Sequence, residues 1–499
     1  MSETEERKAR IESLLEGQVP VELPKAKLII LVGSWIIFFA IGVGCLYDVV
    51  GPQAVYIASL LSLVVLSELT VPIIIMILIA GGIIVLTIWL MVRLLKNHGY
   101  GLLKFSILLS TIIIWIFFIT IVVLFGWMWE LIFLLIFCIA STVLLILYFT
   151  IWKQRLELAG KIVQLCGKVT YEEKELFVPG FLKVIFVGII TAFGGIIATD
   201  ISAHTIPANP LWYNYIPLVL YLFVLFFYIY INTFFFNAII TSISYIWYRK
   251  KDPKFKDGLT IAVYQLPDLA VFAVFSAIIK LVRMLLQYLQ SRYQKNKGGA
   301  PIGGTPLGGA PWTGDAFRLA DGLIANIWYY VNYFTVPSIV IEDVPATTAI
   351  KRSVHRLFDN WADVLIKEWG VGAVFTTLQF LIIFIFAMCG GLFGFVLAII
   401  YSIDMLVMVI LGVILFLFMS MLVSKPFLNL LNDIYLTFLF GFVIDKESNF
   451  KYENNLPNEL NEKLKDFFEA HPAIKRCSNC FARLPEGVHS CPKCGTAYP

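Results

Sequence analysis

Four cysteines, Cys477, Cys480, Cys491 and Cys494, carry the most specific chemistry in this sequence. Each C-x-x-C pair places two thiolates on one tight turn, and the ten residues between the pairs let them converge on a tetrahedron. Zinc suits four sulfurs because it has no redox chemistry and accepts that geometry. Four thiolates leave no open coordination position, so the expected role is structural. Only about 25 residues surround the motif, too few for a hydrophobic core, so metal binding must supply most of its folding free energy. Two disulfides are the alternative in an oxidising compartment, and a redox pair would need a thioredoxin-like βαβ unit that the sequence lacks. His489 reads as a bystander beside Cys491.

A second set of candidates is polar or aromatic and lies inside long apolar runs. An ionisable group within hydrocarbon is costly and therefore suggests function. Asp268 follows Pro267 in such a run, and Lys280 is too many turns away to pair with it along one helix. The plainer reading makes Asp268 a helix-end residue near the inner interface. Asn232, Asn237 and Asn332 suit interhelical hydrogen bonds as well as ligand contacts. Tyr329, Tyr330 and Tyr333 fall on neighbouring helical faces, and a denser aromatic group runs from Trp212 to Tyr230. Such rings either form an interfacial belt or cage a quaternary ammonium through their electron-rich faces. Asp268, Tyr329, Tyr330, Tyr333, Asn332 and Asn237 are the candidate substrate contacts. The other cysteines, Cys45, Cys138, Cys166 and Cys389, share no spacing and read as small apolar filler.

The elements that would hold these groups follow from composition. Apolar residues make up 59% of the 499 and charged residues 14%, with mean hydropathy +0.84. Soluble domains carry about 25% charge, so much of this surface must face lipid. A soluble enzyme, a disordered chain and a secreted disulfide scaffold are excluded, and a net charge of +4 is too mild to imply nucleic acid. The expected fold is an all-α polytopic membrane protein of about ten transmembrane helices with a small C-terminal zinc ribbon. Candidate spans are Leu28–Val50, Val71–Leu95, Phe105–Phe125, Leu131–Trp152, Phe181–Thr199, Ile216–Tyr245, Leu259–Arg283, Gly322–Ile341, Val371–Gly390 and Met405–Val423. Ala54–Leu66 and Gly391–Ser402 are shorter, the latter caught between a break at Gly390-Gly391 and Asp404, and both read as interfacial or re-entrant, although either would change the count by one if it spans. Lys425-Pro426 should stop the last span, leaving Phe427–Val443 as an amphipathic helix on the inner leaflet.

Domain organisation follows as a cytosolic lead-in over 1–27, a first membrane group over 28–152, an amphipathic connector over 153–180 and a second membrane group over 181–445. A charged linker (446–472) then leads to the ribbon (473–499). The lead-in is charged and mixed in sign with no cleavage site, unlike a signal peptide. Basic residues between spans place both termini in the cytosol by the positive-inside rule. One stretch disobeys: Lys280, Arg283, Arg292, Lys295 and Lys297 would start an outer loop, so that helix has an amphipathic extension or a span is miscounted nearby. The Gly/Pro-rich loop 298–314 repeats GGAPI, GGTPL, GGAPW. It lacks G-K-[ST], and its prolines remove the N–H donors a phosphate cradle needs, so it reads as a flexible loop.

Two resemblances add to this reading. The run Cys480-Phe-Ala-Arg-Leu-Pro-Glu-Gly-Val-His-Ser-Cys491-Pro-Lys-Cys494-Gly495 resembles the short zinc ribbons appended to many prokaryotic membrane proteins, which implies a docking module for a cytosolic protein. From Val92 to Asn449 the layout resembles the choline transporter-like family and a related set of prokaryotic polytopic membrane proteins with no assigned activity. The stretches that carry it are Trp152–Cys166 with Pro179, and Asn237–Tyr248 followed by Leu259–Tyr293 with Arg283 and Tyr288. Two more are Tyr333–Asn360 with Ser338, Ala346, Lys351–Ser353 and Asn360, and Leu431–Phe440 with Asp445 and Asn449. The resemblance implies choline transport. The sequence departs from that family in lacking the large Cys-rich outer loop after the first span, and in its added ribbon.

These features admit three functions. A transporter or permease for a small metabolite, a cationic one included, fits the layout, the aromatic clusters and the prolines Pro217, Pro267 and Pro337 within spans. A membrane scaffold presenting the ribbon to cytosolic partners is the alternative. An intramembrane enzyme fits least, since no HExxH, GxSxG, paired-carboxylate cluster or phosphate loop is present.

Overall fold

The computed structural model describes residues 23–50, 70–125, 131–150, 152–206, 212–249, 251–297, 313–359, 370–401 and 404–447. The four ribbon cysteines, Ala54–Leu66 and nearly all of the Gly/Pro-rich loop, the charged linker and the N-terminal lead-in lie outside these residues. Among the described residues every regular element is a helix: α1 (Lys25–Val50), α2 (Thr70–Phe125), α3 (Leu131–Thr150), α4 (Lys153–Glu172), α5 (Phe177–Thr205), α6 (Ile216–Tyr248), α7 (Phe255–Tyr264), α8 (Leu266–Lys297), α9 (Thr313–Val331), α10 (Thr335–Glu342), α11 (Ala346–Asp359), α12 (Gly372–Tyr401) and α13 (Met405–Glu447), with single 3₁₀ turns at Lys174–Leu176 and Trp212–Tyr215.

Seven of the described helices are long and apolar enough to cross a membrane. The seven and the expected ten differ at three places. The spans expected at Val71–Leu95 and Phe105–Phe125 are the two arms of α2, two helices that run into one another across a kink at His98 (φ −130°, ψ 22°). Straight, its 56 residues would run about 84 Å, well over twice the thickness of a hydrocarbon core. The kink falls at Asn97-His98-Gly99, three poor helix formers in a row. Leu131–Trp152 yields α3, whose 20 predominantly apolar residues are about the length a span needs, so it stays a candidate beside the seven. Gly322–Ile341 is interrupted by a turn at Asn332–Phe334, which separates α9 from the eight-residue α10.

Two other expectations are corrected. Gly390-Gly391 is no break, because α12 runs through it to Tyr401. Pro426 does not end the last span; α13 continues to Glu447, and Leu430, Leu431, Ile434, Tyr435, Phe438 and Phe442 are all buried. That segment is core and not an interfacial helix. Membrane helices commonly tolerate an internal proline, because neighbouring groups can satisfy the carbonyl it leaves free. The basic stretch that disobeyed the charge rule continues α8 as far as Lys297, so it is an extension of that helix.

The chain divides into two compact units. The first draws on Met1–Ala58, Leu182–Ser242 and Lys254–Asp359, the second on Ser59–Phe181, Ile243–Pro253 and Asn360–Pro499. In the first unit α8 packs on α9, and α10 and α11 fold back on each other and on α8. A polar thread ties α1 to α6: Trp35 Nε1 donates to Asn232 Oδ1 at 2.8 Å, Asn232 Nδ2 donates to the Tyr228 carbonyl at 2.7 Å, and the Tyr228 hydroxyl bonds Ser34. Asn232 thus serves as interhelical glue. In the second unit α12 and α13 form a close antiparallel pair against α2, and α4 packs along α2. Leu156, Ala159, Val163, Cys166 and Thr170 are buried along α4, and so are Leu158, Ile162, Leu165 and Val169, which leaves Glu157, Lys161, Gln164 and Lys168 as its less buried side.

Candidate functional site: an aromatic row and the broken helices beside it

Three helices of the first unit bring aromatic rings into a row. Phe234 of α6 stacks on Phe272 of α8 at 4.4 Å, Phe272 meets Trp328 of α9 at 6.1 Å, and Tyr230 stacks on Phe234 at 5.8 Å. Phe234 and Phe272 thus link Tyr230, of one aromatic group of the sequence, to Trp328 beside the other. About two turns from the Phe234–Phe272 pair, on the other side, the Lys280 ammonium lies 5.9 Å from the Phe226 ring.

These contacts fix the helix directions. Phe234 faces Phe272 while Phe226 faces Lys280, so α6 and α8 run antiparallel. Trp328 faces Phe272 while Asp321 bonds Arg283, so α8 and α9 do too. Helical spacing then places three polar candidates beside the row. Asn237 is three residues beyond Phe234, Asp268 four before Phe272, and Asn332 four beyond Trp328. Because the directions alternate, all three lie toward the same end. Asp268 sits in the first turn of α8, where the helix dipole favours a carboxylate, and is half-buried. The side-chain oxygens of Asn237 and Asn332 are buried and accept no hydrogen bond among the described residues. Tyr329 meets Tyr330 at 5.4 Å and Tyr333 at 6.1 Å, both edge to face. Tyr329 and Tyr330 are exposed, whereas Tyr333 is buried.

The backbone is interrupted at this end of the row. Gln265 separates α7 from α8, and Asn332–Phe334 separates α9 from α10. Pro217, Pro267 and Pro337 each sit within the first turn of a helix, where a missing N–H costs nothing. The buried Gln265 amide donates to Asp343 Oδ1 at 2.7 Å. Asp343 adopts a left-handed conformation (φ 49°, ψ 50°), which turns the chain from α10 into α11.

Beyond that turn, Arg356 is fully buried and grips Glu342 with both terminal nitrogens, at 2.7 and 2.8 Å. Arg352 adds a third contact at 3.2 Å, and Arg356 also reaches Ser338 at 3.4 Å. The Phe334 N–H donates to Ser353 Oγ at 3.0 Å, locking the interruption to α11. Burial alone would raise the Glu342 carboxyl, but Arg356 and Arg352 outweigh it and hold the group below its usual range. Hydrogen bonds from Arg283 and Gln287 similarly lower Asp321. Sequence reasoning did not single out Glu342, Asp343, Gln265 or Arg356. The available signal was Arg352 and Arg356 one turn apart, downstream of the acidic pair before Pro345.

The second unit holds its own buried cluster. Arg249 donates to Asp445 Oδ1 at 2.8 Å and to the Tyr245 hydroxyl at 2.7 Å, and the Tyr248 hydroxyl donates to Asp445 Oδ2 at 3.0 Å. Tyr245, Tyr248 and Asp445 come from two of the stretches that carried the family resemblance, and packing brings them together. Cys166 is also buried in this unit, and burial pushes its thiol up, away from reactivity.

Helices this long and apolar, in such number, make this a multi-pass membrane protein. The family model described as plasma-membrane choline transporter matches residues 136–447. That is more than half of the chain, and the chain belongs to this family, whose members are transporters and not enzymes. A lipid bilayer and a small-molecule substrate follow from the membership. No curated protein matches the sequence.

Proposed function

We propose that the protein carries a small cationic metabolite of the choline type across the membrane, with the aromatic row as its contact for the ammonium group. The observation that carries this reading is the convergence of Phe234, Phe272 and Trp328 with Asp268, Asn237 and Asn332 toward one end. Ring faces attract a quaternary ammonium that cannot donate a hydrogen bond. Asp268 supplies charge attraction, and the two amide oxygens offer acceptors for a substrate hydroxyl. Helices interrupted beside a site are a recurring way to build such a pocket. Trp328 is the best probe because it is half-buried, while Phe272 is wholly core. In proteoliposomes, Trp328→Ala is expected to lower uptake of choline about tenfold, with Trp328→Phe retaining most of it. Asp268→Asn should raise KM more than it lowers kcat. Equal uptake by Trp328→Ala and the native protein would remove the row from the reading.

Both termini are proposed to lie in the cytosol, as the positive-inside pattern supports. Cys477, Cys480, Cys491 and Cys494 are proposed to hold one structural zinc, on the strength of their spacing. The zinc supplies folding free energy to the tail, which serves as a docking module for a cytosolic protein. Scaffolding would then accompany transport. Metal analysis of Cys491→Ser should show about one zinc fewer per chain than the native protein; unchanged content would end this proposal.

A further inference from the structure

The kink of α2 creates a basic cavity that the transport reading does not use. Three glycines bring α2 and α4 backbone to backbone there. A Cβ on Gly99 would meet the Gln164 nitrogen at 2.7 Å, one on Gly167 the Lys96 nitrogen at 2.5 Å, and one on Gly160 the Tyr100 ring at 2.6 Å. The close approach leaves a cavity of about 540 Å³ lined by Lys96, Asn97, His98, Lys161, Gln164 and Lys168, together with Leu165. None of these lining residues is acidic. Three ammonium groups face one space and disfavour one another in proportion to how little water screens them. Two of the lysines contact neutral groups: Lys96 lies 4.0 Å from the Tyr171 ring and Lys161 donates to Gln164 Oε1 at 3.3 Å. An anion would exchange these for charge-assisted hydrogen bonds of about twice the strength.

We propose that this cavity binds the phosphate group of an anionic ligand, either a phospholipid headgroup or a soluble phosphate ester. Its volume lies in the range of small-molecule sites, about 300–1,000 Å³, and exceeds what one bare phosphate needs. Its position suits a headgroup: the kink is the polar hinge, with Arg93, Lys96 and Lys104, between two apolar stretches of α2. Basic pockets between membrane helices capture lipid phosphates by this means. Asn97, Gln164 and His98 add donors that shape the site for oxygen.

The test uses the full chain in nanodiscs and reads the thermal unfolding midpoint. One arm compares phosphatidylcholine alone with phosphatidylcholine plus phosphatidylglycerol; the other titrates inorganic phosphate into phosphatidylcholine discs. A rise in the first arm alone identifies a lipid headgroup, and a rise in the second a soluble phosphate. Lys161→Gln/Lys168→Gln should weaken the response about tenfold or more, as should Lys96→Gln on the opposite wall. Lys153→Gln, an exposed charge at the start of α4, should leave it intact. Either no rise in both arms, or an undiminished rise in the variants, overturns the proposal.

Discussion

Replacing Arg356 with Met is expected to destabilise the protein by about 3–5 kcal/mol, the usual consequence of removing one member of a buried ion pair. Glu342 would keep Arg352, at 3.2 Å and partly exposed, and its hydrogen bond with Ser338, and would face the desolvation that Arg356 now offsets. Arg356→Lys should fall between, since an ammonium cannot reproduce the two-nitrogen grip. The measurement is chemical or thermal unfolding of purified protein in detergent. A loss below about 1 kcal/mol, the range of exposed pairs, would show that the cluster does not hold the α10–α11 turn.

The same cluster predicts a pH dependence of definite sign. The Glu342 carboxyl lies below its usual range in the folded state, so its stabilisation is fully present above the ordinary carboxylate pKa. It is lost as pH falls through that value toward the folded one. Glu342→Gln should abolish this acid-side component of the unfolding curve while leaving the behaviour above neutral pH unchanged in slope.

The second large effect belongs to the α12–α13 pair. Gly412→Val should prevent these helices from packing, whereas Gly391→Ala should be tolerated. A Cβ on Gly412 would collide with the Gly390 carbonyl oxygen, one on Gly390 would meet the Gly412 oxygen at 2.5 Å, and one on Gly394 would collide with the Met408 oxygen. All three obstacles are backbone atoms, which cannot rotate away. Gly390-x-x-x-Gly394 is thus a small-residue stripe that lets two membrane helices touch along their main chains. At Gly391 the nearest atom is a Val413 methyl at 3.5 Å, an ordinary contact. Overpacking costs about 1–3 kcal/mol where side chains can give, and backbone obstruction should exceed that. Size-exclusion profiles and melting temperatures of the two variants decide the matter; equal behaviour would contradict the packing described.

Apolar run length made the membrane helices legible, and the reason some boundaries were not is equally physical. Hydropathy reports what a segment can bury, not where its backbone bends. Gly390-Gly391 and Pro426 carry the residue types of breaks, yet neighbouring helices hold both segments straight enough to continue. Asn332–Phe334 carries no Gly or Pro, and the chain turns there because Ser353, nineteen residues on, captures the Phe334 N–H. The candidate residues followed the same logic. Asn237, Asp268 and Asn332 stood out as polar groups in apolar runs, and the structure places them beside aromatic rings that no spacing rule links. Glu342 and Arg356 were not legible as a pair, because their meeting depends on the left-handed turn at Asp343.

The most direct measurement of the central claim is uptake by the unmodified protein reconstituted in proteoliposomes. Radiolabelled choline would be compared with 3,3-dimethylbutanol, its neutral isostere of nearly the same shape. Transport through an aromatic row with a carboxylate at one end predicts saturable accumulation of the cation, competition by other quaternary ammonium solutes, and no competition by the isostere. Absence of saturable choline uptake, or equal competition by the neutral compound, would contradict it.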